Sequence, residues 1–127
     1  MNWLLLTPQE YREAEQQALK KIERCITKDY VQLSQENHFK LIVALHPMLL
    51  ELEQDYFPLK PLANILESNS AIKTINLFEK FKQAKKQAGF EYHSLYWQKD
   101  GHNNSRGYQL WADALQVEVK SALNAQD

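Results

Sequence analysis

The sequence predicts a mostly α-helical fold, a compact bundle of about five helices around a central kinked helix. Three observations lead there. Apolar residues recur at three- and four-residue spacing in several segments, the pattern of helices that bury one face. Only three Gly and four Pro occur in 127 residues, too few for the many tight turns of a β-sandwich or barrel. Local start and stop signals then divide the chain into helix-sized pieces.

The central element is Phe39 to Phe57, FKLIVALHPMLLELEQDYF. Phe39, Ile42, Val43, Leu49 and Leu50 form one apolar series, and Leu41, Leu45, Met48 and Leu52 form another. Two series on one helix predict burial between neighbours rather than on a surface. Pro47 costs about 3 kcal/mol inside an unbroken helix. Because the spacing continues past it in register, a kink is expected there. His46 lies on the apolar side, where a lone imidazole bonded to a nearby carbonyl is commoner than a catalytic one.

Length predicts a single domain over residues 1–127, large enough to bury a core without staples. The N-terminal Trp3-Leu4-Leu5-Leu6 lacks the basic region and cleavage site of an export signal, and no stretch is long enough to span a bilayer. With the single Cys25, this points to a cytoplasmic protein without disulfides or a cysteine-based metal set.

In chain order, Thr7-Pro8-Gln9-Glu10 has the form of a capping box, with Leu6 and Tyr11 as a hydrophobic staple. Helix one then runs from Pro8 to about Thr27, with Tyr11, Ala14, Ala18, Ile22 and Cys25 or Ile26 facing inward. Residues 28–33 read as a connection, and Ser34 as the N-cap of the central helix. Pro58-Leu59-Lys60-Pro61 stops that helix, and Pro61 opens a short one through Leu66. A helix from Ala71 to Ala88 follows, with Gly89 as its left-handed terminator. Residues 91–98 fit either a short helix or a strand, which paired with residues 107–111 makes a small β-hairpin near 91–111. Tyr108 to about Asn124 is the last helix.

Charge is unevenly distributed. Residues 1–59 hold six basic and nine acidic side chains, residues 60–107 eight and four, and residues 108–127 one and three. The central block of +4 contains Lys73, Lys80, Lys82, Lys85, Lys86, Lys99 and Arg106, interspersed with Phe90, Tyr92, Tyr96 and Trp97. Lysines that neutralise phosphates beside rings that stack on bases predict nucleic-acid contact, DNA before RNA. The plainer alternative is that the lysines solvate a helix and the rings fill a core. Residues 62–66, a polar turn and a helix from Ala71 resemble a helix-turn-helix, which makes Lys73, Thr74 and Asn76 candidate base readers. Six phosphate contacts on duplex DNA predict a log–log salt slope of about −5.

Enzymatic signatures are missing. His38, His46, His93 and His102 have no metal-ligand spacing, and no phosphate loop or nucleophile elbow occurs. Glu51, Glu53 and Asp55 splay over different helix faces, and His102 with Arg106 is too sparse for a nuclease cleft. The expectation is a non-enzymatic protein without cofactor or metal. Its lead reading is a nucleic-acid-binding accessory or regulatory protein. The alternative is a protein-binding module, such as an adaptor, immunity protein or inhibitor, anchored on a larger partner by Tyr92, Tyr96, Trp97 and Arg106.

Overall fold

The structure is a computed structural model that describes residues 7–125. The capping box at Thr7 forms as expected. The Thr7 hydroxyl accepts from the Glu10 amide at 3.2 Å, and the Glu10 carboxylate accepts from the Thr7 amide at 2.8 Å. The bonds that the Thr7 amide and hydroxyl donate to it hold the Glu10 carboxyl below the usual carboxylate range, and together these contacts fix the first turn. They start α1, Pro8–Arg24. Leu6, half of the expected staple, lies outside the described residues.

The connection expected over residues 28–33 is helical instead. A π-helical stretch, Cys25–Tyr30, carries α1 directly into α2, Val31–Glu36. No Pro or Gly interrupts this run, and the Thr27 hydroxyl bonds the Glu23 carbonyl one turn back at 2.8 Å. Ser34 is buried inside α2 and donates to the Val31 carbonyl, so it caps no following helix. The run ends where His38 takes φ 55°, beyond the α region.

The central kinked helix is not present. Leu41–Leu45 is strand β1, and Leu49–Glu53 is a short helix, α3. Between them Pro47 is fully buried in an extended connection. Five apolar residues with Ile42 and Val43 among them satisfy a buried strand as well as a helix face, and proline outside the ladder forfeits no bond. The partner decides between the two. β1 pairs in parallel with β2, Ile72–Asn76, in a register running from Leu41 opposite Ile72 to Leu45 opposite Asn76. A parallel pair needs a long crossover, supplied here by α3 and by α4, Lys60–Glu67.

β2 also corrects the helix expected from Ala71. The helical part begins only at Leu77, as α5, Leu77–Ala88, with the Asn76 side chain accepting from the Glu79 amide at 3.4 Å. Ile72, Ile75, Phe78 and Phe81 are all buried, the first two reaching the core from the strand and the last two from the helix. Gly89 ends α5 at φ 69°, its amide bonding the Lys85 carbonyl. Instead of a hairpin, residues 91–111 form a 3-10 turn, Tyr92–Leu95, one antiparallel bridge between Tyr96 and Asn103, and the start of α6, Ser105–Asn124.

The fold is mostly helical around a small two-stranded parallel sheet. Counting Pro8–Glu36 as one run, five helical segments surround it among the described residues. A lone strand pair is marginal in water. Here α4 and α6 pack on β2 and α5 packs on β1. Phe57 stacks on Phe78 at 4.8 Å between ring centroids, beside fully buried Leu66, Leu77 and Phe81.

Candidate docking interface

Two adjacent asparagines build the corner that presents the exposed ring of Trp97. Asn104 caps α6 by accepting from the Gly107 amide at 3.0 Å, while its amide nitrogen donates to the Ser94 carbonyl at 2.8 Å. Asn103 is buried, and its amide nitrogen donates to the Leu95 carbonyl at 3.2 Å. Its oxygen is therefore an acceptor, so His46 Nε2–H donates to it at 2.5 Å. Gly107 sits so close that a Cβ there would lie 2.2 Å from the Leu95 carbonyl oxygen. The α6 N-terminus, the 3-10 turn and the exit of β1 are thus locked together.

From this base the chain projects residues 97–102 as a tight turn. The Trp97 amide donates to the His102 carbonyl at 2.8 Å, and Asp100 accepts from the His102 amide at 3.0 Å. Tyr96 and Trp97 part company. Tyr96 is buried and its phenol donates to the Pro47 carbonyl at 2.9 Å, whereas Trp97 keeps 59 % of its surface exposed. Desolvation pushes the Tyr96 phenol up to about 12. Trp97 borders a hollow of about 610 Å³ with His93, Lys99 and Asp100. On the other side of the turn, Met48, His102, Tyr108 and Trp111 line a second hollow of about 410 Å³.

No family model, curated protein or solved structure matches this chain. Its surface has to be read from its own chemistry.

The basic block does not form one continuous cationic face. Lys73, on β2, and Lys80, on α5, converge on Glu118 of α6 at 2.8 and 3.1 Å. Their hydrogen bonds hold the Glu118 carboxyl below its usual range. Lys82 pairs with Asp55, lowering that carboxyl in turn. Lys85 pairs with Glu91 at 3.2 Å and lies over the ring of Tyr92, 4.4 Å from its centroid. Tyr92 is half-buried beneath it. Lys86 and Lys99 have no ion pair among the described residues. Arg106 lies over Phe90 at 5.4 Å and reaches the Ser94 hydroxyl at 3.4 Å.

The helix-turn-helix reading fails on geometry. Lys73, Thr74 and Asn76 belong to β2, the Thr74 hydroxyl is buried without a hydrogen-bond partner among the described residues, and Asn76 is spent as a cap. Strand residues paired in a sheet and covered by helices cannot enter a groove as a recognition helix. Among the described residues, no three His, Cys, Asp or Glu side chains converge as a metal set. Nor is any described helix long and apolar enough to cross a membrane.

Sequence reasoning singled out Trp97, Lys99 and Arg106, which the structure gathers around the 93–106 corner. It missed Asn103, the pivot beneath them, and the rim residues Met48, Tyr108 and Trp111. The polar run from Lys99 to Gly107 looks like a loop in sequence, and one of its members being buried depends on contacts with Leu95 and His46.

Proposed function

We propose that this chain is a protein-binding module that docks on a larger partner through the 93–106 corner. The observation that carries the reading is Trp97, exposed at the head of a turn held by its own backbone and by buried Asn103. A large ring presented on an ordered base loses little freedom on binding, which suits an interface anchor. Lys99 and Arg106 flank it and favour a partner surface with carboxylates. Tyr96, buried against Pro47, supports this corner from below and is not an anchor. Tyr92, under Lys85, is at most a rim contact.

The nucleic-acid reading retains one supporting feature, Trp97 beside Lys99 and Arg106, which suits a stacked base and adjacent phosphates. With Lys73, Lys80, Lys82 and Lys85 engaged by carboxylates, three of the seven cations remain. The duplex salt slope then falls to about −3. A binding titration with duplex and single-stranded DNA at low salt separates the readings. The protein-docking reading expects no saturable binding in either case, and a Trp97-dependent complex with that slope overturns it. In nuclease-treated native extract, Trp97→Ala and Arg106→Ala are expected to lose the same specific partner while keeping the native melting temperature. Unchanged partners in both variants also overturn it.

A further inference from the structure

The second hollow beside the corner, of about 410 Å³, is lined neither by Trp97 nor by Lys99 or Arg106. Its size is that of a small-molecule site. His46, Pro47 and Met48 place it just past the carboxyl end of β1, the end at which open parallel sheets take ligands. Its base is fixed, because Pro47 and Asn103 are buried and Asn103 holds the His46 ring. One wall comes from α6, where Tyr108 and Trp111 stand three residues apart on one side of the helix. Tyr108 is exposed, Trp111 is half-buried, and their rings do not touch each other. Exposed Met48 adds a further apolar rim, so the lining is largely carbon.

One charge decides what such a hollow takes. The Asp100 carboxylate lines it and accepts from the His102 amide at 3.0 Å. Among the described residues it has no Lys or Arg partner, and no Lys or Arg lines the hollow. A neutral apolar ligand would cover that carboxylate without compensating it, at a cost in free energy. An anion would meet it as a like charge, and the positive end of α6 is already spent on Asn104. A primary ammonium or guanidinium brings several N–H donors, each needing an acceptor that a carbon wall lacks. A fully methylated ammonium brings positive charge and no donor, and the faces of Trp and Tyr are ordinary seats for such cations.

We propose that this hollow binds a methylated ammonium group against the rings of Tyr108 and Trp111, beside the Asp100 carboxylate. Capture of a free ammonium needs no macromolecular partner, so this site stands or falls apart from the docking role of Trp97.

The native chain tests it, with choline as the free source of the group and a short peptide carrying trimethyllysine as the side-chain source. Heteronuclear NMR titrations at pH 8 are expected to shift the Trp111 indole and residues 46–48 and 100–108 saturably with at least one probe. The tighter of the two identifies the source. The neutral isostere of choline, 3,3-dimethylbutan-1-ol, and the unmethylated peptide are expected to bind about tenfold more weakly or not at all. Asp100→Asn and Tyr108→Ala, both at exposed positions, are expected to weaken binding about tenfold, and Tyr108→Phe to retain it because the ring remains. Failure of both probes to bind at millimolar concentration overturns the proposal, as do shifts confined to other residues. Equal binding of the isostere overturns it too, since the hollow would then be merely apolar. So does unchanged affinity in either Asp100→Asn or Tyr108→Ala with an otherwise native spectrum.

Discussion

The phenol of Tyr96 donates to the backbone carbonyl of Pro47 at 2.9 Å, joining segments 49 residues apart. Pro47 follows β1, and Tyr96 precedes the turn that presents Trp97, so this bond ties the sheet to the candidate interface. Next to it, His46 donates to Asn103, which fixes the same two segments a second time.

Burial raises the Tyr96 phenol to about 12, whereas an exposed phenol titrates near 10, about two units lower. Between those values the unfolded chain releases a proton that the folded chain keeps. Stability is therefore fully present below about pH 10 and declines as pH rises towards 12. In urea titrations, Tyr96→Phe is expected to lose about 1 kcal/mol at neutral pH through the missing bond. Its decline above pH 10 should be shallower than that of the native chain. Parallel alkaline slopes would show that Tyr96 is accessible to water.

Asn103→Ala removes the acceptor of His46 and the donor to the Leu95 carbonyl. Leaving buried polar groups unsatisfied costs about 1–3 kcal/mol. Chemical denaturation should register that loss, and hydrogen exchange should localise it to residues 93–107.

Gly107→Ala tests the same junction by steric means. The added methyl would need space 2.2 Å from the Leu95 oxygen and 2.5 Å from the Asn103 amide nitrogen. Alanine ordinarily favours a helix by about 1 kcal/mol over glycine. Here overpacking reverses the sign, with a net loss of about 1–3 kcal/mol expected. A stabilised variant would refute the close approach.

Glu118 is held below its usual range by Lys73 and Lys80. A carboxyl lowered on folding stabilises above its unfolded value, and that contribution disappears as pH falls through the folded one. Both lysines are more than a third exposed, so each pair contributes only about 0–1 kcal/mol. Glu118→Gln should melt slightly below the native chain at pH 7 and together with it near pH 3. The difference at pH 7 should shrink in high salt.

Leu45→Asp places a carboxylate at a buried position at the end of β1 and is expected to abolish cooperative thermal unfolding. Trp97→Ala, on the exposed turn, should shift stability by less than about 0.5 kcal/mol. If Trp97→Ala were as damaging as Leu45→Asp, the ring would belong to the core.

The sequence by itself determined the elements whose signals are local. Thr7 and Glu10 cap α1, Pro61 lies in the first turn of α4, and Gly89 closes α5, because each signal acts within one or two turns, while the last helix, expected from Tyr108, starts three residues earlier at Ser105. Leu41–Leu45 and Ile72–Asn76 carry no such mark. Five apolar or alternating residues suit helix and strand alike, and only their meeting across the α3–α4 crossover makes them a parallel pair. The same applies to surfaces. Spacing shows that Tyr11, Ala18, Ile22 and Cys25 share a face, and that lysines crowd residues 73–86. The tertiary structure decided that α4 meets α1 on another side, along Gln16, Leu19 and Glu23, and that Glu118, Asp55 and Glu91 neutralise four of those lysines. Facing and pairing are relations between distant segments, set by which surfaces bury most against one another.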